Sequence, residues 1–135
     1  IVRAGMDPEA VLEECVVEVA AASYAVVTTD EDHDVAETFA TVDDGRELTH
    51  VVAETRLADL ETQAVEDGWR VLTFDVVLPF ELVGFLAVVA TALAERDVSI
   101  FALSAYSTDH VLVQGEDLDR ALAALTDLGC EIRRL

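Results

Sequence analysis

The chain has 135 residues and a net charge of −20, with 53% apolar residues. That apolar share builds a buried core and excludes a disordered acidic tail. The absence of any basic patch excludes phosphate-backbone recognition, so no nucleic-acid partner is expected.

All eight basic residues are Arg, and Lys and Asn are absent. The carboxylates are scattered along the whole chain. They would repel one another at low ionic strength, whereas molar salt shortens the Debye length to about 3 Å. This reads as a protein of a halophilic cytosol, with an acidic partner surface as the alternative. No apolar run is long enough to span a bilayer, so no membrane association is expected. The first residues lack a basic-then-apolar leader, and a cytoplasmic location is expected. Ile1–Gly5 reads as an extraneous remnant ahead of a natural start at Met6-Asp7-Pro8, and residues 1–13 as an N-terminal extension. Cys15 and Cys130 lie in apolar surroundings, where reduced buried thiols are the default and a disulfide the alternative.

In chain order, residues 14–19 and 24–29 read as two strands joined through Ala20-Ala-Ala-Ser23. Asp30–Asp34 is a charged loop. Residues 38–42 and 48–53 form a hairpin around Asp43-Asp-Gly-Arg46, whose Asp-Gly is a strong turn signal. Residues 56–67 are expected to be a helix stopped by Gly68. Arg70–Val77 alternates, with Leu72, Phe74 and Val76 on one face, as in a half-buried strand. The strand over 69–78 fits either half. Val83–Arg96 is helical and apolar almost all round, so both sides should be covered. Residues 98–104 and 110–113 are strands around the polar turn Tyr106-Ser-Thr-Asp109. Asp117–Leu128 is an amphipathic helix with Leu118, Ala121, Leu122 and Leu125 at the spacing of one face. Gly129 ends it, and 130–134 closes as a strand.

The second half thus has the order β-α-β-β-α-β, the ferredoxin-like plan. The first half is a degenerate copy whose first helix is lost. The expected fold is α+β, with a degenerate module over 14–68 and a complete one over 69–135.

Catalysis is poorly supported. His33, His50 and His110 show no local nucleophile–base spacing, and no phosphate-loop or dinucleotide signature occurs. The Asp30–Asp34 run lacks the glycine and ligand spacing of a calcium loop. Asp109-His110 are strand neighbours that point to opposite faces. No catalytic residue, metal or cofactor is assigned. An enzyme or metal protein built on His33, His110 and the acidic loop stays as a lesser alternative.

Two stretches can bind a small molecule. At Pro79-Phe-Glu-Leu-Val-Gly-Phe85 a helix start offers unpaired amides to an anion, and Gly84 permits close approach; a packing glycine is the plain alternative. At Ser104-Ala-Tyr-Ser-Thr-Asp109, Tyr106 offers a flat wall and Asp109 an acceptor for a cation, with an ordinary hairpin turn as the alternative.

The ordered set Pro79, Gly84, Leu86, Leu93, Ser99-Ile-Phe101, Ser104, Tyr106, Thr108-Asp-His110, Leu112-Val113, Asp117-Leu118, Leu125 and Gly129 resembles the ACT domains. Within them it is similar to the tandem group that includes the cytosolic arginine sensors of animals. The resemblance implies a non-catalytic regulatory protein that binds an amino acid, basic ones included, at a module interface. It places ligand contacts at Glu81, Leu82, Val83 and Gly84 in the loop, and at Ser104, Tyr106, Thr108 and Asp109 in the strand–turn region. It also implies a homodimer acting on a separate, unidentified target protein. The alternative is a dimerisation module that holds no ligand.

Overall fold

A computed structural model describes residues 6–30, 35–80 and 82–135. The chain divides into an outer unit, residues 1–21 with 70–135, and an inner unit, residues 22–69, inserted between its two pieces.

The outer unit starts with helix α1 (Pro8–Glu13). Asp7 caps it through Oδ1, which accepts from the Glu9 amide at 2.9 Å, and Pro8 occupies the first turn. Both devices suit a helix start. Val11 and Leu12 are fully buried, so part of the stretch read as an extension belongs to the core. Strand β1 (Val16–Thr29) follows without a break. This corrects the expected pair of strands over 14–19 and 24–29. Ala20–Ser23 contains neither Gly nor Pro, and the buried positions keep one parity, Val17 and Val19 before it and Ala25, Val27 and Thr29 after it. Small residues that hold the two-residue phase extend the strand rather than interrupt it.

Within the inner unit, β2 (Ala40–Asp43) and β3 (Leu48–Ala53) form the expected hairpin. Asp43 and Asp44 tie down its turn by accepting from the amides of Gly45, Arg46 and Glu47. The amides of Glu47 and Arg46 hold the Asp44 carboxyl below the ordinary carboxylate range. No long helix follows. Glu54–Asp59 is a short 3-10 helix, and strand β4 (Ala64–Asp75) already begins four residues after Leu60. This corrects the helix expected over 56–67. Among the described residues the apolar cluster here is small, Ala25, Val27 and Val52, with Val35, Leu57 and Leu60 packed against it. Two leucines then satisfy it, and Glu61-Thr-Gln63 offers no apolar face to bury. Gly68, read as a helix stop, lies inside β4 at φ 81, and its amide donates to Glu54 Oε1 at 2.7 Å. Strand order here is β2-β3-β1-β4, the ferredoxin-like order. The loop expected at Asp30–Asp34 falls mostly outside the described residues.

The outer unit continues with α2 (Phe85–Ala94), β5 (Ile100–Ser104), β6 (Asp109–Gln114), α3 (Leu118–Asp127) and β7 (Glu131–Arg134). Its strand order is β7-β1-β4-β6-β5. The closing strand pairs in parallel with the first part of β1, which separates it from β4. Helix α2 buries Phe85, Val89 and Leu93 and touches both α1 and α3. The cover that its apolar flanks demand therefore comes in part from α1. The predicted face of α3, Leu118, Ala121, Leu122 and Leu125, is buried. A Schellman closure ends α3: Gly129 has φ 108, its amide donates to Thr126, and the Cys130 amide donates to Leu125. Among the described residues no helix is long and apolar enough to cross a membrane.

Candidate functional site

Three contacts hold the end of β4 and the loop that follows it against the β5–β6 turn. The Leu78 amide donates to the Ser107 carbonyl at 2.6 Å, and the Thr108 hydroxyl donates to the Phe74 carbonyl. The turn itself is closed by the Ala105 amide donating to the Thr108 carbonyl at 2.9 Å. Phe80 and Tyr106 meet edge to face with centroids 4.7 Å apart, a favoured aromatic geometry.

Between loop and turn lies a cleft of about 320 Å³. Of the eight residues singled out from sequence, Leu82, Gly84, Ser104, Tyr106, Thr108 and Asp109 line it. Val83 does not; its side chain is 81% exposed. Glu81 lies outside the described residues. The cleft also takes in Phe80 and Ser107, which lie within the two stretches singled out but were assigned no ligand contact, and Leu78, which precedes them. The available signal was Phe80 itself, a second aromatic directly after the loop proline.

Polar chemistry concentrates at two points. Asp109 Oδ1 accepts from the Ser104 hydroxyl at 2.6 Å. That bond orients the carboxylate and leaves Oδ2 for another donor. Opposite, Gly84 precedes α2 with φ 89 and ψ 0, and Phe85, Leu86 and Ala87 line the same cleft. The first helical bond runs from the Val88 amide to the Gly84 carbonyl at 3.0 Å. Glycine has no side chain with which to cap the amides before Val88, as Ser or Asp would. A Cβ on Gly84 would meet Pro8 Cγ at 3.5 Å, an ordinary contact. Its left-handed backbone, rather than crowding, is what demands glycine.

His110 adjoins the cleft without entering it. Its Nδ1 shares a hydrogen bond with the Thr73 hydroxyl at 2.8 Å, and burial holds its pKa below the ordinary value, against the pull of Asp109. His50 is buried, with Nε2 on Thr29 at 3.0 Å and Nδ1 on Thr41 at 2.9 Å. Among the described residues no three His, Cys, Asp or Glu side chains converge as a metal site would require; His33 lies outside them.

Residues 64–127, from β4 through α3, match the ACT-domain family model. A protein from Agrobacterium tumefaciens superposes with a TM-score of 0.76 at 21% identity, over 90% of this chain and 93% of that one. A Vibrio cholerae protein of unknown function, described as a possible transport protein, gives 0.73 at 28% identity over 90% and 94%. The ligand-free regulatory subunit of aspartate kinase from Thermus thermophilus gives 0.60 at 11% identity over 83% and 95%. No curated protein matches the chain in sequence. The α+β, ferredoxin-like reading of the sequence agrees with these folds.

Proposed function

We propose that the chain is a regulatory protein that binds an amino acid in the Leu78–Asp109 cleft and signals to a separate protein. One observation carries this: the cleft brings the α2 entrance and the Ser104–Asp109 turn together around a volume of about 320 Å³. That is at the low end for ligand pockets and suits one small metabolite rather than a nucleotide. The ligand carboxylate meets the uncapped amides at the start of α2, where the helix dipole favours an anion. Asp109 takes the cationic end through Oδ2, and the Phe80–Tyr106 pair flanks the aliphatic part. A basic amino acid, as in the arginine-sensing group that the sequence resembles, fits this polarity. The match of residues 64–127 to the ACT domain and the fold shared with an aspartate kinase regulatory subunit support the regulatory part. The dispersed acidic surface suits a cytosol of high salt.

A thermal-shift panel of the twenty amino acids in about 2 M KCl tests the reading. A ligand at 100 times its Kd adds about 2.7 kcal/mol, which raises Tm by several degrees in a chain of this size. Asp109→Ala should abolish the shift while leaving the unliganded Tm nearly unchanged. A flat panel from folded protein defeats this reading and favours a module that only pairs with another chain. That second reading has its own support, because Val77, Phe80, Val83 and Tyr106 are all at least 70% exposed. A constitutive homodimer indifferent to amino acids, seen by sedimentation, would establish it.

A further inference from the structure

The two cysteines stand at opposite ends of the sequence and next to each other in the outer unit. Cys15 closes the link from α1 to β1, and Cys130 the link from α3 to β7. Each is free and almost wholly buried, 1% and 5% exposed. One position further on, Val16 and Glu131 are the first partners of the parallel strand pair, and the Glu131 amide donates to the Cys15 carbonyl at 3.0 Å. Paired strands lie about 4.8 Å apart, inside the roughly 4.4–6.8 Å between Cα atoms that a disulfide requires. Residues opposite each other in such a pair point to one face, so the two side chains are neighbours on that face. The Cys15 thiol donates to the Val16 carbonyl at 3.6 Å; the neighbouring Cys130 and burial push Cys15 up, and the neighbouring Cys15 pulls Cys130 down against its own burial. The directions of the two shifts favour Cys130 as the attacking thiolate.

Helix α1 runs from this pair to the cleft. At its end, a Cβ on Gly129 would come within 3.1 Å of Glu13 Cα. At its start, Pro8 packs over Gly84, the entrance of α2. Any tie that fixes α1 at the cysteine end therefore bears on the helix start that lines the cleft.

We propose that Cys15 and Cys130 are a reversible redox pair, and that their disulfide clamps α1 to β7 and stiffens the entrance of α2. The oxidant is a low-molecular-weight disulfide such as oxidised glutathione. The Cys130 thiolate attacks one of its sulfurs, breaking that S–S bond and expelling a small thiolate, which takes up a proton from solvent. The Cys15 thiol then loses its proton and attacks the Cys130 sulfur of the mixed disulfide, releasing the second small thiol. Two protein thiols are oxidised, one small disulfide is reduced to two thiols, and two hydrogens change hands. Because both sulfurs are buried, the first step waits on α1 lifting away, a local opening available to a helix of only six residues.

The test equilibrates the full chain in buffers of reduced and oxidised glutathione, quenches with acid and measures intact mass, Tm and amide hydrogen exchange. The expected product has lost two hydrogens and carries no glutathione. It melts several degrees above the reduced chain and exchanges the amides of Phe85–Val88 more slowly. Cys15→Ala and Cys130→Ala cannot form the product two hydrogens lighter and end as single glutathione adducts or unchanged. A wild-type chain that stays reduced, or halts at a mixed disulfide, overturns the pair. A disulfide that forms while exchange at Phe85–Val88 stays the same overturns the clamp. These readouts need no amino-acid ligand, so their failure is distinct from failure of the binding reading.

Discussion

Gly129→Ala separates the two roles of one residue, ending α3 and admitting α1. Gly129 has φ 108, and a Cβ there would meet Glu13 Cα at 3.1 Å and Glu13 Cγ at 3.2 Å. A side chain in left-handed backbone costs about 1–2 kcal/mol. Pressing it against another segment's backbone adds about 1–3 kcal/mol. The reduced freedom of the unfolded alanine chain returns about 0.4–1 kcal/mol. The sum is a loss of about 1–5 kcal/mol, centred near 3. Gly45 is the internal control: its φ is 80 and a Cβ would meet nothing within 4 Å. By the first and third terms alone, Gly45→Ala should lose only about 1 kcal/mol. Urea unfolding of both variants in molar KCl, monitored by Trp69 fluorescence and far-UV circular dichroism, measures the difference. If the two losses agree within about 0.5 kcal/mol, a typical additivity error, α1 does not pack on the Gly129 turn as described.

Leu12→Ala should cost about 2–5 kcal/mol, the range for a fully buried leucine, since Leu12 is wholly inaccessible to solvent; a loss under 1 kcal/mol in urea titration would remove α1 from the core. His110 yields a pH signature. Its folded pKa lies below the ordinary 6.5, so the unfolded chain binds the proton more readily. Its contribution is present above about 6.5 and is lost as pH falls through the lower folded value. Stability should therefore decline more steeply below pH 6.5 in the wild type than in His110→Gln, and parallel profiles would contradict this. His50→Ala removes the ring bonded to both Thr29 and Thr41. It should lower stability by about 2–4 kcal/mol through lost packing and the loss of both side-chain hydrogen bonds, leaving the Thr29 hydroxyl only its 3.4 Å bond to the Asp30 carbonyl, whereas Thr41→Val should cost less.

What the sequence determined by itself is local. The stripe of α3, the alternation over 70–76, the Asp-Gly hairpin and the glycine stop at 129 all depend on neighbours within a turn or two. Their free energies are written in adjacent residues, and the structure has all four. The two stretches that border the cleft were legible for the same reason, since a loop before a helix and a polar turn between strands advertise their chemistry locally, whereas Val83, also singled out, does not line it. Helix α1 was also written locally, in Asp7-Pro8, though it was read only as an extension. Tertiary structure decided the rest. Whether residues 56–67 coil or extend depended on how little core the inner unit had left to cover. Whether Ala20–Ser23 broke a strand depended on partners that continue on both sides. The parallel pairing of β7 with β1, and with it the meeting of Cys15 and Cys130, depended on which distant segment filled the place beside β4. Such choices are made by packing between segments far apart in the chain, and no local preference records them.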